Sequence, residues 1–345
     1  MTATKRMYIG TEAGVVVMSQ KNGGWCHERE GLKGKAINVL LASSDAGVVY
    51  GCTPKDGVFV SKDGGESWNL ALSGKVYTMA LDPSNPRVIY AGTEPIRLLR
   101  SDDMGDSWTE IEGLQRVPEE ARDRWWFPIY PHVSHVRSIF VDWHNPGIIC
   151  VGLEHGGIFR TVDGGENWEN LSAGIEYLDI HMVIGDPIQE NLYYAATARG
   201  FYRSEQYGRA WISSAEGVSR DYFHDFVALP GAASTLLVAT ANGTPPAWLR
   251  PGKAQSAIFR SNDCGLSWQQ LGGGLPESME RMVWTIVRDP QDNDSIYASI
   301  GDYSLNLSKG DIGYGEVWTS HDRGDHWHET YKGQSPIRSV CVELQ

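Results

Sequence analysis

SKDGGESW (61–68), SDDMGDSW (101–108), TVDGGENW (161–168), SNDCGLSW (261–268) and SHDRGDHW (320–327) are five copies of one phrase, S/T-x-D-x-G-x-x-W. SEQYGRAW (204–211) keeps the frame with Gln206 in the Asp position, and SQKNGGW (19–25) is one residue short. The closing tryptophans, Trp25, Trp68, Trp108, Trp168, Trp211, Trp268 and Trp327, stand 40 to 60 residues apart. A unit of this length repeated seven times points to a propeller or a solenoid.

The stretch around the second complete box shows what one unit contains. VYTMALD (76–82) is a short apolar run rich in strand formers, PSNP is a turn, RVIYAGT (87–93) is a second run and IRLLRS (96–101) a third. After Trp108, TEI begins a fourth. Four short strands joined by tight turns make one propeller blade. The phrase returns as VRSIFVD/GIICVGL/GIFRT, IHMVIGD/NLYYAAT/GFYRS and VWTIVRD/SIYASI/EVWTS.

Neither end of the chain holds a whole unit. Residues 5–10 read as a second strand, 14–19 as a third, and IRSVCVE (337–343) as a first. Joined, they complete a seventh blade and close the ring, leaving no sheet edge open. The expected fold is therefore all-β: one domain over 1–345, a seven-bladed β-propeller of four-stranded blades whose N- and C-terminal strands share a blade.

The box has a plain structural job. It spans the hairpin between third and fourth strands, where the hydroxyl and the carboxylate can bond backbone N–H groups. Gly supplies a positive φ, and Trp folds back as an apolar plug. Five identical boxes on one rim do not describe a catalytic acid.

These boxes resemble the Asp-box, or BNR, repeat of sialidases, sortilin-type receptors, xyloglucan-active hydrolases and a photosystem II assembly factor. The resemblance covers nearly the whole chain and implies a fold element rather than a chemistry. Against the sialidases the match is incomplete: there is no F/Y-R-I-P segment, and seven blades replace their usual six. The xyloglucan enzymes resemble two such propellers joined, with catalytic Asp residues at the interface, and this chain supplies one. No catalytic residue of either family carries over to a numbered position.

Bulk properties narrow the partners. A net charge of −13 disfavours nucleic acid and anionic membrane surfaces. No window approaches the roughly 18 apolar residues of a membrane span. MTATKRMYIGTEAG runs straight into a strand pattern with no apolar leader region, and five cysteines lack paired spacing. Free thiols in a reducing compartment and a cytoplasmic protein are the expectation.

Extra length beyond the repeat falls in three places: 109–134, 241–256 and 301–314. In an up-and-down blade these connections emerge on one face, opposite the boxes, and long loops on one face mark a binding side. Aligning the first strands by register gives an opening position of Asn38, Tyr77, Arg137, His181, His224, Trp284 and Arg338. Two residues on stand Leu40, Met79, Ile139, Val183, Phe226, Ile286 and Val340, all apolar, as positions packed between blades should be. The polar or aromatic set is therefore expected to ring the channel mouth. His132, His135, His155, His181 and His224 fall on the same side, and Glu154 and His155 end the strand behind Arg137.

Two functions compete. One is an enzyme at the channel mouth, a hydrolase or lyase acting on a sugar-like or carboxylated small molecule, and so either glycoside hydrolase-like or a lyase. His181, His224, Tyr77 and Glu154 would carry the proton chemistry, with Arg137 and Arg338 as anion clamps. Asn38, Trp284, His155 and Asp302 would line the ligand, beneath an aromatic lid of Trp125, Trp126, Phe127 and Tyr130, and Asp179, Glu154 and Asp302 are the acids available to compensate the clustered Arg and His. Asn242, Trp248, Arg250, Tyr303 and Asn306 are weaker contacts. The other function is a noncatalytic recognition or assembly module that docks a protein or peptide on the same face. No HExxH, CxxC, P-loop, GxSxG or EF-hand pattern occurs, so no cofactor and no catalytic metal is expected. The competing metal set would be His155, His181, His224 and Glu154, should adjacent blades bring them together.

Overall fold

The hairpin closed by each box is the local unit from which the fold is built. In a computed structural model describing residues 5–43, 45, 47–249, 253–303 and 313–343, Ser61 Oγ donates to Asp63 Oδ1 at 2.8 Å and accepts the Gly65 N–H at 2.8 Å. Asp63 Oδ1 then accepts the N–H groups of Glu66 and Ser67 at 3.0 and 2.9 Å. The same hydroxyl-to-Gly bond recurs at Ser101, Thr161, Ser261 and Ser320. The residue between Asp and Gly also has positive φ, from Gly64 (71°) to Met104 (60°) and Arg323 (58°). Only glycine takes that conformation without strain.

In the box lacking Asp, Ser204 still caps the Gly208 N–H at 3.1 Å. Trp211 departs from its counterparts. Trp108, Trp168 and Trp327 donate their indole N–H to their own box Gly carbonyl at 3.0–3.1 Å. Trp211 donates instead to Leu171 of the preceding blade at 2.6 Å.

Among the described residues the strands form seven four-stranded antiparallel sheets, the blades of a seven-bladed β-propeller. The first strands are Val39–Ala42, Val76–Asp82, Val136–Val141, Ile180–Gly185, Tyr222–Leu229, Met282–Arg288 and Ile337–Glu343. The last of these pairs with Arg6–Thr11, which pairs with Gly14–Lys21 and then Gly24–Gly31. The split blade expected from the two ends is thus present. Met7 faces Val342 and Ile9 faces Val340 in its ladder. Glu343 is buried there and takes hydrogen bonds from the Tyr8 hydroxyl and the Gly47 N–H.

Boundaries shift in the third blade. The second strand begins at Asn85, earlier than the PSNP turn implied, and the third begins at Leu98. Residues 94–97 are a turn closed by the Thr93 N–H on the Arg97 carbonyl at 3.1 Å. The apolar partners two places along the first strands are all buried, from Phe226 at 0% to Ile139 at 9% exposure.

The 109–134 insertion follows the fourth strand Thr109–Glu110 and carries a 3-10 turn, Glu112–Arg116, and a short helix, Glu119–Arg122. That at 241–256 holds a 3-10 turn, Pro245–Leu249. All five cysteines are free thiols, four of them buried. No helix among the described residues is long and apolar enough to cross a membrane. The chain divides into two compact units: Met1–Gly51 with Phe59–Asn69 and Glu216–Gln345, and Cys52–Val58 with Leu70–Ala215.

Two outcomes follow from the boxes. Trp327 is buried at 5% exposure among Leu237, Leu271 and Ile296, so Trp327→Ala should cost about 3–5 kcal/mol in denaturant unfolding. Hydrogen bonds from the Ser107 side chain and N–H and from Ser101 hold the Asp103 carboxyl down at about 2. Its stabilising contribution is complete above the ordinary carboxylate range and is lost as pH falls toward 2. Asp103→Asn should lower Tm at pH 7, and the gap from the natural protein should close on acidification. A gap independent of pH would remove the charge from this account.

Candidate functional site

Six of the seven opening residues share a feature that residue alternation does not reveal. In the first-to-second strand ladders, Val76 pairs Thr93 and Thr78 pairs Gly92, so Tyr77 is skipped. Arg137 is skipped between Val136 and Ser138, His181 between Ile180 and Met182, and His224 between Phe223 and Asp225. Trp284 is skipped between Val283 and Thr285, and Arg338 between Ile337 and Ser339. Each is the extra residue of a β-bulge, left out of the ladder so that its side chain is re-aimed. Asn38 stands just before its strand, Val39–Ala42.

One group of side chains gathers within the unit that contains Leu70–Ala215. The bulges supply Tyr77, Arg137 and His181. His135 immediately precedes the strand Val136–Val141, and Asp179 immediately precedes Ile180–Gly185. Glu154 and His155 occupy the tight turn between Ile149–Leu153 and Gly157–Thr161, where His155 has φ of 54°. Such a backbone is uncommon for a bulky residue and marks a position fixed by its surroundings.

The geometry is close and mostly dry. The Tyr77 and His135 rings stack with centroids 3.8 Å apart. His135 Nδ1 lies 4.0 Å from Glu94 Oε2, and its Nε2 lies 3.8 Å from Glu154 Oε2. Arg137 Nε approaches the same Glu154 oxygen at 3.4 Å. Asp179 sits between two imidazoles, with His155 Nε2 3.4 Å from Oδ2 and His181 Nε2 3.7 Å from Oδ1. His135, Asp179 and His181 are each buried. Glu154 Oε2, Asp179 Oδ1 and His135 Nδ1 are out of contact with solvent and make no hydrogen bond.

Burial is the main force on these groups. It pushes the Glu154 carboxyl up, helped by the Asp179 charge and opposed by Arg137 and His155. It raises Asp179 as well, against Arg137 and a backbone hydrogen bond from His155. Burial, aided by Arg137, holds His135 down at about 3, so its ring is neutral. Burial lowers His155 against the pull of Glu154 and raises Tyr77, with Glu94 adding to the effect.

The aromatic loop divides its labour. Phe127 lies edge-on to His155 and His135, with centroids at 5.5 and 6.4 Å. Trp125 instead packs edge-on against Phe159, at 5.6 Å, and onto the core beneath. Its ring is half-buried and packed on the blade, so Phe127 is the loop aromatic that faces His135 and His155. Trp126 and Tyr130 are 53% and 85% exposed, flanking His132.

The other unit holds a second group. The Arg338 guanidinium lies over the Trp284 ring, 4.0 Å from its centroid, and its Nε donates to Glu12 Oε1 at 2.9 Å. His224 meets Trp284 edge-on at 5.1 Å, and Trp248 meets Trp284 at 6.1 Å and Tyr303 at 5.6 Å. Asp302 lies 3.3 Å from Arg281 Nε and 3.8 Å from Lys253 Nζ, and accepts the Tyr314 N–H at 2.8 Å. Asn242 donates to Gln255 at 2.6 Å. Arg250 and Asn306 lie outside the described residues.

Two members of the first group went unassigned in the sequence reading, Glu94 and the stacking role of His135. Glu94 was detectable: YAGTEP and CVGLEH align, placing it in register with Glu154. The stack on Tyr77 crosses two blades and leaves no trace in spacing.

No family model matches the chain, and no curated protein matches it. Solved structures do. A GH74 enzyme from Niastella koreensis aligns with TM-score 0.65 and 18% identity over 93% of this chain and 46% of its own. The GH74 xyloglucanase from Xanthomonas campestris aligns with TM-score 0.61 and 16% identity over 85% of this chain and 45% of its own. YCF48 bound to D1 peptide aligns with TM-score 0.54 and 17% identity over 85% of this chain and 80% of its own. The chain spans less than half the length of those GH74 proteins. At these identities the likeness is one of fold.

The buried charges should cost stability. Asp179→Asn removes a desolvated charge while keeping the side chain's shape, and should raise stability by about 1 kcal/mol in urea unfolding at pH 7 with a chelator present. A loss of that size instead would mean that the carboxylate holds the fold together.

Proposed function

We propose that the chain is an Asp-box propeller that acts as an enzyme on a sugar-like or carboxylated small molecule, by hydrolysis or elimination, at the group around Arg137. The observation that carries this reading is the placement of half-buried Glu154 and buried Asp179 beside Arg137, His155 and His181, with a carboxylate oxygen of each acid shielded from solvent and accepting no hydrogen bond. Such charges are expensive to bury, and strongly perturbed acids and bases grouped together belong more often to chemistry than to scaffolding. Arg137 suits a carboxylate of the substrate. Phe127 and Tyr77 offer ring faces and edges to a flat or sugar-like body. The side-chain oxygens of Glu154 and Asp179 supply the proton-handling or charge-stabilising groups.

A noncatalytic peptide-binding module is the second reading. The observation in its favour is the run of exposed apolar side chains, Trp126, Ile129 and Tyr130, on one loop. A peptide could lie across them without reaching the buried charges.

A panel of chromogenic aryl glycosides, aryl uronides and uronate-containing oligosaccharides separates the two. The enzyme reading expects turnover that falls about 100-fold or more in kcat/KM for Arg137→Ala and for Glu154→Gln, with Tm preserved. Asp163→Asn should do the reverse, lowering Tm and sparing turnover. Equal activity in Arg137→Ala and the natural protein would sink the enzyme reading. Peptide capture abolished by Trp126→Ala with Tyr130→Ala, without turnover of any panel member, would select the module.

A further inference from the structure

We infer that Glu154, Asp179 and His181 form a divalent transition-metal site, with His155 as the residue that completes or orients it. The inference rests on the same group of residues as the proposed function and names what that group holds.

One donor atom from each of Glu154, Asp179 and His181 lies within 4.8 Å of the others. Donors each about 2.0–2.2 Å from one such ion stand roughly 3.3–3.6 Å apart in tetrahedral coordination. Side-chain rotations that close the widest gap by about 1 Å therefore bring the three side chains onto one ion. The second observation is independent of this spacing. The Asp179 side chain is 10% exposed, and its Oδ1 neither reaches solvent nor accepts a hydrogen bond. Glu154 Oε2 is in the same condition. A buried carboxylate oxygen without a donor is costly, and a cation answers that cost for both acids at once.

The donor set selects the class of ion. Imidazole nitrogen together with carboxylate oxygen suits zinc, manganese or ferrous iron better than magnesium or calcium, which take oxygen. His155 Nε2 lies 3.4 Å from Asp179 Oδ2, near enough to be a fourth ligand or to hold the carboxylate in line. Its positive φ fixes the ring's origin in the turn. Arg137, 3.4 Å from Glu154, stays outside the donor set. Two carboxylates, a divalent cation and Arg137 leave one net positive charge, which favours a ligand carrying a single carboxylate.

This reverses the expectation of no metal drawn from motif spacing. That expectation rested on the lack of a spacing-defined motif, and register alone could not show whether ligands of adjacent blades converge. Here they stand at a second-to-third strand turn of one blade and at the start of the next blade's first strand, 25 to 27 positions apart.

The test is isothermal titration calorimetry of chelator-treated protein with zinc chloride and with manganese chloride, alongside metal analysis of protein purified without chelator. One equivalent should bind, and Tm should rise with the bound ion. Asp179→Asn and His181→Ala should abolish that heat, and His155→Ala should weaken it about 10–100-fold. His326→Ala, on an exposed box, should bind as the natural protein does. Glu154→Gln, close in shape to the original, provides a second ligand variant should either of the others fail to fold. No binding by the natural protein, or binding unaltered in the folded ligand variants, overturns the inference. Binding without turnover of any panel compound keeps the metal site and removes the enzyme reading. Full turnover in chelator-treated, metal-free protein does the opposite.

Discussion

A strand that carries one residue more than its partner cannot keep every side chain in the sheet's alternation. Six of the first strands do this at the same place, and the rest of the candidate chemistry depends on it. The residues on either side of the bulge stay paired, so Val136 and Ser138 hold the ladder while Arg137 is released from it. Two positions after the bulge the chain is back in the core, as the burial of Ile139, Val183 and Phe226 records. A polar group can thus stand next to a packed strand without being pulled into the apolar layer.

The fold was almost wholly legible in the sequence, because its determinants are local and repeated. Each box fixes a hairpin by hydrogen bonds within eight residues, and the same letters return whenever the same turn is needed. The shared blade was legible for a different reason: the two ends hold complementary fractions of one unit. The site was legible only in part. Register placed Tyr77, Arg137 and His181 at one level, but it could not say that each is a bulge. Alternation treats an extra residue as one more polar position. Nor could spacing show Asp179 between His155 and His181, since those contacts join a turn in one blade to a strand start in the next. Composition reports an aromatic load without its direction, and so could not separate Trp125, packed on Phe159, from Phe127 beside the histidines.

Charge is handled in opposite ways at the two levels of the molecule. The box aspartates are exposed or nearly so and are surrounded by donors, so their carboxyls sit far below the ordinary range, as at Asp63 and Asp103, both about 2. Glu154 is half-buried and Asp179 buried, both with too few donors, and their carboxyls are pushed up. The first arrangement is self-sufficient and stabilises a turn. The second leaves one oxygen of each acid without a hydrogen bond, a cost that a cation, a proton or a ligand would offset.

The repeat offers its own internal comparison. The five complete boxes close the same turn, and their letters barely change: Ser or Thr, Asp, Gly, Trp. The bulge is equally regular in geometry, yet its letters differ almost from blade to blade: Tyr77, Arg137, His181, His224, Trp284, Arg338. If the bulge served only to bend the strand, one undemanding residue would suffice in all six blades, as it does in the box. A constant backbone here presents four kinds of side chain over six positions: a tyrosine, two arginines, two histidines and a tryptophan. That division, constant letters where the fold is made and varied letters at a fixed geometry, separates the parts of this repeat that build the propeller from the parts available to act.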